Sequence, residues 1–111
     1  MLLLHNRGRR TGVDNVNPLA YLPDADDPAT VYVFASAAGR PEHPQWYRNL
    51  IVDPSVTVEL PGEEFKARAT PLEGADYDRT WTMIKDQYPF FAEHDQRAGR
   101  RIPVVELIRR D

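Results

Sequence analysis

Thr30-Val-Tyr-Val-Phe34, followed by Ala35-Ser-Ala-Ala-Gly-Arg-Pro-Glu-His-Pro-Gln-Trp-Tyr-Arg-Asn-Leu50, is the stretch that decides the reading of this chain. The first five residues are β-branched or aromatic and predict a strand. The small residues from Ala35 to Gly39 let a backbone pass close to another group. Pro41 and Pro44 stiffen the turn that follows. Gln45 to Leu50 then reads as a helix start, with Trp46, Tyr47, Asn49 and Leu50 inside two turns. A small-residue strand end opening onto such a helix can cradle a flat ligand or an anion, because the first helical amides lack intrahelical partners. The i, i+4 spacing of Trp46 and Leu50 equally describes two side chains filling a core.

Outward from this stretch, short alternating segments dominate. Strands are expected at Met1–His5, Val16–Leu22, Val56–Leu60, Phe65–Thr70 and Val104–Ile108. In the second, Asn17, Leu19 and Tyr21 share one face, and Pro18 suits an edge or a bulge. Pro61-Gly62-Glu63 predicts a hairpin that sets Phe65, Ala67 and Ala69 on one side. Gly74–Gln87 is helical by the apolar stripe Tyr77, Trp81, Ile84 and Tyr88. Pro89 stops it, and Phe90–Arg97 is read as a further short helix. The sum is five or six strands, mostly antiparallel, with two or three helices and no repeated βαβ unit. A small barrel or half-closed sheet with flanking helices follows.

The chain's 111 residues suit one domain. Fourteen basic against 17 acidic residues give a net charge of −3, which argues against a general nucleic-acid binder. Cysteine is absent, excluding disulfides and thiolate metal sites and fitting a cytoplasmic protein. Leu2-Leu3-Leu4 is too short for a signal core or a membrane span. The turn Arg7-Gly-Arg-Arg-Thr-Gly12 combines guanidinium donors with glycine-exposed amides, a set suited to phosphate or carboxylate, and also to an ordinary solvated turn. The aspartates of Pro23–Pro28 lack the spacing of a calcium loop. His5 and His43 stand in no ligand spacing along the chain, so no metal is assigned.

Taken in order, Gly8-Arg-Arg-Thr-Gly12, Asn17-Pro-Leu19, a strand ending Ala35-Ser36 with Gly39, His43-Pro-Gln-Trp-Tyr-Arg-Asn-Leu50, Asp53-Pro-x-Val-Thr-Val58, Tyr88-Pro89 and Arg100-Arg-Ile-Pro-Val-Val105 resemble the deazaflavin (F420)-dependent nitroreductase family and its quinone-reductase members. The resemblance runs across nearly the whole chain. It implies a mainly β fold with flanking α, a split β-barrel of the FMN-binding type, spanning residues 1–111 as one domain. That family normally begins with an N-terminal helical segment, which this sequence is expected to lack.

The resemblance further implies coenzyme F420, with FMN as the alternative cofactor. The anionic tail would run toward Arg9, Arg10 and Thr11. The ring would rest near Pro18, Leu19, Ala35, Ser36 and Gly39, with Pro44, Trp46, Tyr47, Asn49 and Leu50 closing the pocket. Hydride would pass from reduced F420 to a quinone-like or nitro acceptor, the protein supplying position and field. Two positions depart from the family's pattern. Asn15 and Ala37 stand where relatives often carry cations, and Arg40 is expected to compensate.

On the acceptor side the implied residues are Ser36, Tyr88 and His94, with Phe91 replacing a proton-bearing tyrosine. The alternative reading is a member that binds F420, a flavin or a lipid without fast turnover. A third is a structural module pairing through a sheet edge. A homodimer and a peripheral membrane association are the remaining partner expectations.

Overall fold

The computed structural model describes residues 1–24, 26–35, 43–89 and 102–110. Alternation sets the sheet. In β1 (Leu2–Arg7) the side chains of Leu2, Leu4 and Asn6 are buried while Leu3 and Arg7 face solvent. The order continues with β2 (Asp14–Leu19), β3 (Tyr21–Pro23), β4 (Thr30–Phe34), α1 (Gln45–Val52), β5 (Ser55–Leu60), β6 (Glu63–Pro71), α2 (Gly74–Gln87) and β7 (Val104–Arg110). All strand pairings are antiparallel, in the order β2-β1-β5-β6-β7-β4-β3.

The described residues thus form seven strands where five or six were expected. The difference arises at Ala20, which divides the expected Val16–Leu22 strand. Its first half pairs with β1 and its second with β4. These halves occupy opposite ends of the strand order. In a flat sheet, six steps of about 4.8 Å would hold those ends about 29 Å apart. One residue between Leu19 and Tyr21 spans at most about 7 Å. The sheet therefore curls until its ends meet, and the strand bent at Ala20 closes it as a barrel. The alternation passes through the bend unbroken. Leu19 and Tyr21 pack against the interior cluster, Ala20 and Leu22 against the outer one.

The interior is filled by Leu2, Leu4, Val33, Val58, Val105 and Leu107, and α1 contributes Trp46 and Leu50 to it. The outer cluster lies between the barrel wall and α2, where Tyr77, Trp81 and Ile84 meet Tyr32, Phe34 and Val104. All five residues of β4 are buried because this strand is covered on both faces. The expected stripe on α2 is the one observed, and the Tyr77 hydroxyl donates to the Ile102 carbonyl oxygen beneath it. Gly62, at φ 84°, makes the predicted β5–β6 turn. The expected helix at Phe90–Arg97 lies outside the described residues.

Candidate functional site

The turn joining β1 to β2 is tied to itself and to α1. Gly8 N–H donates to Val13 O at 2.9 Å and Gly12 N–H to Gly8 O at 2.8 Å. The Thr11 hydroxyl oxygen accepts from Val13 N–H, and the Asn15 amide donates to Val13 O. A β-carbon on Gly8 would stand 2.8 Å from the Thr11 hydroxyl, so this close approach requires glycine.

Arg9 then docks the turn. Its backbone N–H and Nη1 both donate to Asn49 Oδ1, at 3.2 and 2.9 Å, and Nη1 also reaches Gln45 Oε1 at 2.8 Å. The Asn49 amide donates onward to Asn6 Oδ1 at 2.8 Å, and Asn6 donates to Asn17 Oδ1 at 2.9 Å. Asn6 and Asn49 are buried, so this relay of amides meets the demand that interior polar groups find partners. Its effect is to fix the arginine-bearing turn against the first turn of the helix that carries Trp46.

That helix end suits an anion. Pro44 caps α1 without a side-chain hydrogen bond, and no acidic residue stands in its first turn. Among the described residues, then, no side chain caps its positive end. Arg10 and Thr11, next in the turn that Arg9 ties to α1, are exposed. Guanidinium, hydroxyl and helix amides together form a donor set that fits a phosphate or carboxylate.

His43, Tyr47, Pro71, Leu72, Glu73, Tyr77 and Pro103 line a cleft of about 240 Å³. The His43 and Tyr47 rings lie 5.1 Å apart, and Tyr47 meets Trp46 edge-on at 6.3 Å. Ala35, buried, donates its N–H to Pro103 O and so backs this cleft.

The sequence-predicted residues separate accordingly. Arg9, Asn49 and Pro44 converge on the α1 terminus, with Arg10, Thr11 and Asn15 on the adjoining turn. Tyr47 and Ala35 belong with the cleft. Trp46 and Leu50, at 6% and 1% exposure, are packed into the barrel interior, the core reading of their spacing. Pro18 is exposed on β2, and Leu19 packs at the interior's margin. Tyr88 is on the outer side of the wall. Its ring lies 5.9 Å from Phe34 and its hydroxyl donates to Tyr21 O. Ser36, Ala37, Gly39, Arg40, Phe91 and His94 lie outside the described residues.

Sequence reasoning missed Asn6 and Gln45. Asn6 carried a signal, a polar residue on the inward phase of Leu2, Leu4, Asn6. Chain spacing also gave His5 no carboxylate partner, yet the sheet sets Glu59 beside it, and imidazole and carboxylate are hydrogen-bonded. The aspartate turn is explained locally. Asp24 accepts from the backbone N–H groups of Asp26 and Asp27 and from the Tyr32 hydroxyl, and Asp27 from Ala29 N–H and the Thr30 hydroxyl.

Against known proteins, residues 1–108 match the family model described as F420H(2)-dependent quinone reductase. A Mycobacterium tuberculosis protein provisionally named an F420H(2)-dependent quinone reductase is 36% identical over 106 residues, covering 96% of this chain and 87% of that one. A solved F420-H2 dependent reductase superposes with a TM-score of 0.84 at 28% identity, over 96% of this chain and 91% of its own. A solved domain-swapped dimer matches with the same TM-score and identity, over 96% of this chain and 78% of its own. This chain belongs to the F420H(2)-dependent quinone reductase family.

Proposed function

We propose that this chain reduces a quinone-like acceptor, binding F420 with its anionic tail on Arg10, Thr11 and the α1 N-terminus and its ring toward Tyr47. Coenzyme F420 is the family's cofactor and F420H2-dependent reduction its activity. When bound, reduced F420 supplies a hydride, which a quinone takes up with a proton to become a hydroquinone.

The observation that carries this placement is the clasp of Arg9 on Asn49 and Gln45. It turns a glycine-rich loop into a fixed wall beside an uncapped helix end. Arg9 is spent on that clasp, so Arg10 and Thr11 are the groups left to meet the ligand. Asn49 acts as a positioning residue, since its buried amide is already engaged on both sides. Pro103 and Ala35 back the cleft and limit how deeply a ring can enter. A cytoplasmic location accompanies this reading, in keeping with the cysteine-free sequence. Among the described residues no helix is long and apolar enough to cross a membrane.

Titration of F420 fluorescence tests the placement, with oxidation of reduced F420 by menadione as the activity readout. Loss of a charge-assisted contact worth about 1.5–3 kcal/mol weakens binding roughly 10- to 100-fold. Arg10→Ala should show that loss in affinity while unfolding at the wild-type denaturant concentration. Wild-type affinity in an Arg10→Ala/Thr11→Ala double variant would place the tail elsewhere.

A further inference from the structure

The outer face of β1, β5 and β6 gathers three side chains that the reductase reading does not use. In β1, Leu4 points inward and His5 outward. In β5, Val58 points inward and Glu59 outward. The β1–β5 ladder pairs His5 with Thr57 and Leu3 with Glu59, so His5 and Glu59 are diagonal neighbours on the outer face. The β5–β6 ladder then sets Glu59 directly opposite Glu64. Two carboxylates facing each other across an antiparallel pair repel, and a cation between them relieves that repulsion.

We propose that His5, Glu59 and Glu64 form a binding site for one divalent cation of the zinc class, joining β1 to the β5–β6 hairpin. One imidazole nitrogen and one oxygen from each carboxylate lie within 4.8 Å of one another. Zinc bonds of about 2.0–2.2 Å put tetrahedral ligand atoms about 3.4 Å apart, so the hydrogen-bonded His5–Glu59 pair opens to admit the ion while the exposed Glu64 side chain rotates toward it. The three come from adjacent strands of one sheet, whose backbone hydrogen bonds hold their spacing before any ion arrives. Fourth and further positions open to an outer groove of about 780 Å³ that His5 and Glu64 help line.

The same groove carries Arg7, Lys66 and Arg110 alongside Asp14 and Asp53. Those charges largely offset one another, so the choice of metal falls to the ligands. Magnesium and calcium prefer all-oxygen shells, and an imidazole ligand favours zinc over them. On binding, the metal takes the place of the hydrogen bond between His5 Nε2 and Glu59 Oε1 and bonds both atoms.

Calorimetric titration of the metal-free full chain with Zn2+ and with Mg2+, paired with thermal melts, tests the site. One Zn2+ per chain is expected to bind and raise the melting temperature with the logarithm of its free concentration once that exceeds Kd, with Mg2+ giving neither effect. Losing even an outer-shell partner typically costs about 10- to 100-fold in metal affinity, and losing a ligand costs at least that. Glu64→Gln and His5→Gln should each show the loss and leave F420 affinity unchanged. Both positions are at least partly open to solvent, and melts without metal check that both variants fold as the wild type does. Absence of Zn2+ binding at millimolar metal, or undiminished binding in both variants, overturns the site.

Discussion

Two polar clusters at opposite places in this fold solve the same problem with different chemistry. The Arg9–Asn49–Asn6–Asn17 relay joins residues up to 43 positions apart through neutral amides in the interior. The Asp24–Asp27 turn joins residues no more than eight apart through carboxylates at the surface. Amides can be buried because they carry no charge to desolvate, and each offers both donor and acceptor. Carboxylates only accept, and they stay affordable where water shares the load. The first cluster therefore fixes tertiary geometry, while the second shapes a turn.

The comparison breaks most sharply at Asn49. Asn49→Ala strands the buried Asn6 Oδ1, at about 1–3 kcal/mol, and takes one partner from the half-buried Arg9, which keeps Gln45. A loss of about 3 kcal/mol is expected in urea denaturation, with F420 affinity falling as the turn comes away from α1. An equal-sized loss from Asp24→Ala would erase the distinction between the clusters.

Arg9→Lys sharpens the same contrast with a smaller effect. Lysine keeps the charge but lacks the planar fork that reaches Asn49 and Gln45 together. Stability should fall by about 1 kcal/mol, since the backbone N–H of residue 9 still holds Asn49. F420 binding should fall more than stability, because the charge moves while the fold persists. Parallel fluorescence titration and urea unfolding separate the two.

The difference between the clusters is also the difference between what the sequence disclosed and what it withheld. Features set within a few residues were legible. Tyr77, Trp81 and Ile84 marked the buried face of α2, Gly62 marked a hairpin, and Asp24 with its neighbours read as a turn. Closure of the barrel was not legible. Its seam is at Ala20, and the alternation of Leu19 and Tyr21 against Ala20 and Leu22 continues through the bend with no change of phase. Nothing local distinguishes one strand from two. At the site, Arg9 and Asn49 were named through a family resemblance, but their mutual hydrogen bond spans 40 residues and has no periodic trace. Trp46 and Leu50 show the reverse risk, since one spacing serves a pocket and a core, and both side chains are buried in the interior cluster. His5, Glu59 and Glu64 meet only through strand register, which chain spacing does not encode.

On the carboxylate side, Tyr32→Phe removes the hydroxyl that donates to Asp24 Oδ1 at 2.7 Å. The Tyr32 bond is the main reason the Asp24 carboxyl is held below its usual range, assisted by the amides of Asp26 and Asp27 and by Arg79, with burial opposing. A depressed folded value contributes stability above the unfolded value and loses it as pH falls. The variant should therefore be less stable than wild type near neutrality, by about 0.5–1 kcal/mol given the solvent around Asp24. The gap should narrow on acidification, and an NMR titration should find the Asp24 carboxyl moved upward.

The smallest effect, and the one of opposite sign, belongs to Glu106, which pairs with Tyr32 across the β4–β7 ladder. Burial first, then the charges of Asp76, Asp24 and Asp27, push its carboxyl above the ordinary 4.5. A raised folded value means that protonation favours the fold. The contribution is fully present below the unfolded value and is lost as pH rises through the raised one. At neutral pH the ionised Glu106 is thus a burden that the anionic turn imposes on its neighbour strand, a cost the neutral amide relay does not impose on anything near it. Glu106→Gln should raise the melting temperature near pH 7 by a few degrees at most, and the advantage should vanish below the ordinary carboxylate range. Melts across that interval check the sign. A variant less stable than wild type at neutral pH would mean that Glu106 is held by a partner rather than opposed by its surroundings.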